Sequence, residues 1–412
     1  MRRPSLGAIF LTVFLDLLGF GLVIPFLAKE ARDAFGTSEF VAALLGSVYS
    51  LMQFLFVPVW GRLSDRIGRR PVLLWSIAGT ALSMAALGAG LMFGKGVHWL
   101  FLARIFGGIA TANLGIASAY IADVTSAEDR AKGMGLIGAA FGLGFIFGPA
   151  IGGTLTKIPV AGHEGALPCY VAALFSLINW AWVYFGLSES LPPELRQKKT
   201  TRSLAPLNMT AVRDAFRLPG VGLAISVNFL VLLSFTNLDQ TFTFYCSDIF
   251  GIDERGTGYV LACIGVAATA VQGGMMRPLS KRMTEASMIR LGVLLQFLAF
   301  SGLVLAATWG RPWLYVASAV LAVGSGLTQP STSAFISKRA LPGEQGTMLG
   351  ANQSFASLAR TFGPACGGYF YTNLGPRAPY VVAALGMVLA FGLAHGLQRA
   401  TLPSPRVLPK AS

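Results

Sequence analysis

The chain has 412 residues, 54% of them apolar and only 12% charged, with 49 glycines, against about 25% charged in a typical soluble domain. That composition excludes a water-soluble protein, and the longest polar stretch, residues 188–220, is too short for an independent core. The net charge of +14 suggests nucleic acid only until the 32 Lys and Arg are sorted by loop: with the N-terminus inside, 22 fall on the cytoplasmic side, seven outside, and Arg104, Arg290 and Arg360 within apolar runs. The basic charge therefore records topology, and no nucleic-acid partner is expected.

Recurring apolar runs of about 20 residues predict twelve spanning helices in the lipid bilayer. They cover 6–27, 40–60, 71–93, 98–122, 133–155 and 168–188, then 220–245, 256–279, 285–308, 312–336, 346–371 and 377–399. The fold class is an all-α polytopic membrane protein of two six-helix bundles, 1–188 and 220–400. A cytoplasmic linker, 189–219, joins them and a cytoplasmic tail, 401–412, follows. Arg2 and Arg3 before an apolar run resemble a signal peptide, but the run is long, contains Asp16 and lacks a cleavage site, so it reads as an uncleaved first span. Cys169, Cys246, Cys263 and Cys366 are too scattered for a metal site and read as packing residues, although Cys169 and Cys246 would both lie near the outer face. No cofactor is expected.

In span one, Asp16 lies ten residues from the start, about 15 Å deep at 1.5 Å per residue. An acid at that depth costs about 2.5 to 3.5 kcal/mol on insertion scales and should face a cavity or a partner. Burial favours its neutral form and a nearby cation its charged form, the requirement for a proton site; a structural hydrogen bond to a neighbouring helix is the alternative. His98 and His163 belong to outer loops and His395 ends the last span, so any proton coupling falls to carboxylates. Span two carries Tyr49 and Gln53, four apart, as candidates for a substrate cavity. Between spans two and three runs Gly61-Arg62-Leu63-Ser64-Asp65-Arg66-Ile67-Gly68-Arg69-Arg70. Its two glycines permit a tight reversal, and Asp65 is placed to pair with Arg or to face a helix N-terminus. A basic topogenic loop explains the arginines but not the acid between the glycines.

Span four holds Arg104-x-x-Gly107-Gly108, with Arg104 near enough to the outer face either to snorkel or to meet a buried acid or anionic substrate. Span five carries Gly148-Pro149-x-x-Gly152-Gly153, glycines for close helix approach and a proline for a kink. In span seven, Asn228, Leu232, Phe235, Asp239 and Phe242 follow helical spacing and predict a cavity face, with Asp239 a second proton site or a solvated rim residue. Gln329 in span ten joins them. In span eleven, Gln353, Arg360 and Pro364 share a stripe, and Arg360 is too deep to snorkel. The block Gly363-Pro364-x-x-Gly367-Gly368 repeats that of span five, and Asp33-Ala34-Phe35-Gly36 recurs as Asp248-Ile249-Phe250-Gly251, both at an offset of 215 (363 − 148 and 251 − 36). Two matches at one offset mark duplicated halves, a known plan for secondary transporters in which the halves rock about a midplane site.

The loop after span two resembles the major facilitator superfamily pattern Gly-x-Leu-x-Asp-Arg-x-Gly-Arg-Arg at every defining position. Asp16-x-x-Gly19 with Pro25, Arg104-x-x-Gly107-Gly108 and the Gly148-Pro149 block resemble further family patterns, in order, over essentially the whole chain. The text from Phe14 to Leu74 is most similar to the twelve-helix tetracycline/proton antiporter-like group. The resemblance implies an inner gate in which Asp65 closes against the eleventh helix and Arg69 links to Asp123, with Gly61, Arg66 and Gly68 completing the loop. The second-half copy, Arg277 to Arg282, has Lys281 where the acid would stand, so gating should be asymmetric.

Together these readings predict a monomeric secondary transporter of a bacterial-type inner membrane, with both termini cytoplasmic. It would export drugs or other small organic compounds in exchange for protons, with the proton gradient as its energy source. A proton-coupled or facilitative carrier of a metabolite or organic anion is the alternative, favoured by Arg104 and Arg360. An enzyme is not expected, since no HExxH, GxSxG or Cys/His cluster occurs, and no GxxxxGK[ST] suggests direct ATP drive. A receptor on the same scaffold would not need the gate residues.

Overall fold

The computed structural model describes residues 6–111, 113–125, 130–196, 209–218, 220–340 and 345–398. Residues 197–208 of the expected linker and the expected tail, 401–412, lie outside them. The first half contains α1 (Leu6–Phe35), α2 (Glu39–Ile67), α3 (Arg69–Met92), α4 (Val97–Ala110), α5 (Asn113–Val124), α6 (Arg130–Thr156) and α7 (Ala166–Gly186). A short helix, α8 (Met209–Arg217), precedes the second half, which contains α9 (Val221–Phe250), α10 (Glu254–Ala270), α11 (Met276–Arg282), α12 (Glu285–Trp309), α13 (Arg311–Arg339), α14 (Gln345–Leu374) and α15 (Ala378–Leu397). The fourth span is α4 plus α5, and the eighth is α10 and α11 joined by a π-helical turn, Val271–Met275.

Nine of the described spans are long and apolar enough to cross a membrane; of the others, the eighth is interrupted after 17 residues by its π-helical turn, and the tenth and eleventh are less apolar. The tenth turns its polar groups inward: Thr328, Ser331 and Thr332 are fully buried, and Thr328 and Thr332 donate to carbonyls one turn back. This is the twelve-helix arrangement read from the sequence, with cysteines that are free thiols; Cys169 and Cys246 are both buried in their helices.

Helices one and seven run further than the apolar pattern predicts, to Phe35 and Phe250. Each stops at a glycine in the left-handed region, Gly36 at φ 62° and Gly251 at φ 60°, where L side chains are strained. The following helices start behind side-chain caps: Ser38 accepts from Val41 N and Asp253 from Gly256 N at 2.8 Å. Lys29, Arg32 and Asp33 therefore stand on the last turns of a helix instead of in a loop.

Within each half, α1 packs on α6, α3 on α7, α9 on α14 and α12 on α13; across the halves, α2 meets α14 and α6 meets α10. The glycines of these four crossing helices report where the halves touch. On the face away from the linker, here the far face, a Cβ on Gly153 would strike the Glu254 carbonyl, one on Gly258 the Pro149 carbonyl, and one on Gly368 would lie 2.7 Å from Ala43 Cβ. Toward the linker face of the same helices, none of the described residues lies within 4 Å of a Cβ on Gly61, Gly138, Gly274 or Gly350. Among the described residues, then, the halves meet at the far face and part at the linker face.

Candidate functional site

The fourth span is interrupted beside Asp16. Thr111 has φ −80° and ψ 109°, so the helix stops at Ala110 and resumes at Asn113. Inside a bilayer the freed carbonyls need protein partners, and side chains supply them: Ser76 Oγ donates to Ala110 O at 2.7 Å and Trp60 Nε1 to Ile109 O at 2.5 Å. Tyr49 OH donates to Thr111 Oγ1 at 3.1 Å, and Thr111 in turn to Gly107 O at 2.7 Å. Asp16, Phe20, Tyr49, Thr80, Thr111 and Ser176 line a cavity of ≈ 10 Å³ at this break, about the room that one water centre needs. The structure thus brings together Asp16 and Tyr49, two candidates that the sequence placed in separate roles, and adds Thr111, Thr80 and Ser176, which no sequence pattern marked.

Arg104 does not snorkel. It is 1% exposed, its Nε donates to Leu45 O at 3.2 Å, and its guanidinium lies 3.9 Å from the centroid of the Tyr49 ring. Its Nη1 is buried without a hydrogen-bond partner. Gly107 and Gly108 make this possible: a Cβ at Gly108 would meet Tyr49 O at 2.5 Å and Met52 Cβ at 2.6 Å, so only glycine lets α4 lie on α2.

At the linker face the Gly61 to Arg70 segment is the end of α2, a one-residue break at Gly68 and the start of α3, with Gly61 inside the helix and not at a reversal, and it forms one hydrogen-bonded network. Arg69 Nη1 donates to Asp65 Oδ1 at 2.6 Å and to Ser64 Oγ at 2.7 Å, and its Nε donates to Asp123 Oδ2 at 3.1 Å. The Arg69 to Asp123 link is the one the family resemblance implied; Asp65, which it assigned to close against the eleventh helix, accepts here from Arg69. Arg66, assigned to the same gate, is instead exposed, as a residue at a parted face would be. Arg70 turns to the Val183 and Tyr184 carbonyls of α7.

The residue missed here is Glu189. Its carboxylate accepts from Arg69 N at 2.8 Å and Arg70 N at 3.1 Å, capping α3 from across the half, because Gly68 has no side chain with which to cap it. Gly68 sits at φ 109°, and a Cβ there would also collide with that carboxylate. The only signal was its being one of three acids, with Glu194 and Asp214, in a basic linker. Glu189→Gln is expected to lower the unfolding free energy by about 1 to 2 kcal/mol through loss of charge at the helix terminus, read as a lower melting temperature in detergent.

In the second half the expected cavity stripe is only partly free. Asn228 is buried, and its Nδ2 donates to Asn352 Oδ1 at 3.0 Å, tying α9 to α14; Phe242 is 1% exposed and belongs to the core. These two are corrections: helical spacing assigned a face without showing that α14 covers it. Asp239 is half-buried and accepts from Gln240 Nε2 at 3.0 Å, and Gln240 itself packs on Gly46 of α2, so Asp239 stands beside the seam between halves. Arg360 is half-buried, with Ser357 Oγ at 3.3 Å as its hydrogen-bond partner and, among the described residues, no carboxylate. Phe235, Gln53 and Gln329 are half-buried, and Gln353 is exposed.

The two Gly-Pro blocks divide in the same way. Gly148 and Gly152 pack within the first half on Gly21 and Leu22, and Gly363 and Gly367 within the second on Thr236 and Asn237. The last glycine of each block, Gly153 and Gly368, faces the opposite half. Pro149 and Pro364 both lie inside continuous helices.

The far face holds a charge cluster that the sequence suggested only as loop charge. Arg32 binds Asp248 through both Nη atoms, at 2.8 and 3.2 Å, and also Asp33 at 3.0 Å, so the repeated acids converge on one arginine. Tyr371 OH donates to Asp248 at 2.8 Å. Glu254, 1% exposed, is paired by Lys29 and, at 2.7 Å, by Lys157. The Glu254 carboxylate holds the Lys157 ammonium above the usual lysine range.

The Major Facilitator Superfamily model matches residues 9–364 and 312–411. The bovine "Major facilitator superfamily domain-containing protein 10" is 31% identical over 95% of this chain and 92% of its own. The class C tetracycline resistance protein of Escherichia coli is 33% identical over 86% of each. Among solved structures, that of the human organic anion transporter MFSD10 (TETRAN) superposes with a TM-score of 0.70 at 26% identity, over 95% of this chain and all of that one.

Proposed function

The chain belongs to the Major Facilitator Superfamily, and from that premise we propose that it is a proton-coupled antiporter exporting small organic compounds across a bacterial-type inner membrane by alternating access. Its family and fold are those of transporters, not enzymes. The observation that carries the reading is the contrast between the two ends of the same four helices, glycines in contact at the far face and in open space at the linker face. A two-half bundle with that contrast offers its interior to one side at a time.

In this reading the linker face is cytoplasmic, as the positive-inside bias requires, and the protein works as a monomer without cofactor. Asp16, at the break in the fourth span, carries the proton, with Asp239 at the seam as a second site. The Asp65, Arg69, Asp123 network, with Glu189 as its support, braces the inner gate. Tyr49, Gln53, Phe235, Gln329 and Gln353 are the cavity positions on the facing helices.

A second observation favours organic anions among the substrates. Among the described residues, Arg104, buried in the first half, and Arg360, half-buried in the second, have backbone, hydroxyl or ring partners and no carboxylate, and a cation withdrawn from water without a counter-charge is costly until an anion joins it. The related human structure is that of an organic anion transporter. Proton release from acid-loaded inverted vesicles, on adding cationic, zwitterionic and anionic compounds in turn, tests both readings. Arg360→Gln is expected to weaken the response to anions at least about tenfold, about 1.4 kcal/mol, with little effect on cations. An unchanged anion response would remove Arg360 from the site.

A further inference from the structure

Among the described residues, the ion pairs that join the halves at the far face all run in one direction. Lys29 and Lys157 reach Glu254, and Arg32 reaches Asp248: the cations come from the first half and the acids from the second. The internal repeat explains where the acids stand. At the offset of 215, Asp33 corresponds to Asp248, Ser38 to Asp253, Glu39 to Glu254 and Gly153 to Gly368. Glu39 and Glu254 thus each open a helix behind a side-chain cap, and each receives a partner from the crossing helix of the other half.

Those two partners also correspond, and they differ in charge. At the α6–α10 seam the partner is Lys157, 2.7 Å from Glu254 Oε2. At the α2–α14 seam the residue 215 further on is Thr372, whose Oγ1 donates to Glu39 Oε2 at 3.0 Å and accepts from Phe40 N at 3.0 Å. The remaining cations have no counterpart either, since Lys29 corresponds to Phe244 and Arg32 to Ser247. One geometry therefore holds an ion pair on one seam and a neutral hydroxyl on the other.

We propose that Lys157 and Glu254, with Lys29, set how firmly the far face is held shut, and that the α2–α14 seam, where Thr372 takes the place of Lys157, is the compliant side. This deepens the alternating-access reading and rests on it. Parting the α6–α10 seam strips both lysines from an acid whose side chain is 2% exposed, so the pairing exists only in the closed state and biases the equilibrium toward it. Parting the other seam exchanges hydrogen bonds to Thr372 for hydrogen bonds to water, at small net change.

The test places spin labels at exposed far-face positions away from the lock, Lys95→Cys in a loop and Thr308→Cys in the last turn of α12, in protein with its four native cysteines replaced, and reads the far-face distance distribution in nanodiscs. Lys157→Thr is expected to raise the open-to-closed ratio at least about fivefold. Adding Thr372→Lys to Lys157→Thr transfers the ion pair to Glu39 and returns the ratio to within about twofold of wild type. Melting temperatures of the variants identify any that fail to fold, and Glu254→Gln, expected to shift the ratio in the same direction, is an independent second variant. An unchanged ratio in Lys157→Thr, or no recovery in the double variant, overturns the proposal. The distance readout needs neither substrate nor proton gradient, so its failure is distinct from failure of the transport reading in vesicles.

Discussion

Asp16→Asn is expected to cut pH-gradient-driven transport at least about tenfold, about 1.4 kcal/mol in activation free energy, while the folded protein still binds and exchanges substrate. Asparagine keeps the shape and hydrogen-bonding capacity of Asp16 at the water-sized cavity but cannot take up or release a proton. A structural hydrogen bond would survive that change; a proton site would not. The comparison that decides is counterflow, which needs no net proton movement, against gradient-driven uptake into inverted vesicles. Loss of gradient drive with counterflow retained identifies the proton site, and retention of both assigns Asp16 to structure.

Gly368→Val should open the far face without unfolding the protein. A Cβ at 368 lies 2.7 Å from Ala43 Cβ, 2.9 Å from Phe40 Cα and 3.0 Å from Glu39 O, all on the opposite half. Overpacking of this kind costs about 1 to 3 kcal/mol, borne only by the state in which the halves meet, so the equilibrium shifts toward far-face opening by about 5- to 150-fold. Gly363→Val is the contrasting case. Its Cβ would meet Thr236 and Leu233 O within its own half, so the cost falls on both states and appears as a lower melting temperature with an unmoved gate. Impermeant labelling of a far-face cysteine and thermal unfolding separate the two outcomes.

The residues that were legible in the sequence are those whose role is local or periodic. Apolar run length gave the twelve spans, and one offset gave the duplicated halves. The Arg69 to Asp123 link came from the family resemblance of the Gly61 to Arg70 segment and not from spacing, since the two residues stand 54 apart. What failed depends on neighbours distant in sequence. Thr111 can leave the helix because Ser76 and Trp60, from two other helices, satisfy the carbonyls it frees. Glu189 caps a helix more than 100 residues earlier, and Asn228 is withdrawn from the cavity by Asn352. Lys29 and Arg32 looked like loop charge because an apolar run ends before the helix does; Gly36 sets the true end.

Alternating access itself is tested most directly by measuring both faces of one protein. Two labelled pairs, Lys95 with Thr308 in opposite halves at the far face, and Glu194 at the start of the linker with Lys281 of the second half at the linker face, all exposed, report each opening separately. At low external pH with a responding substrate, the far-face distance should lengthen while the linker-face distance shortens, in the same fraction of molecules. Distances that change together, or a linker face that stays open under every condition that supports transport, would contradict the rocking of two halves about a central site.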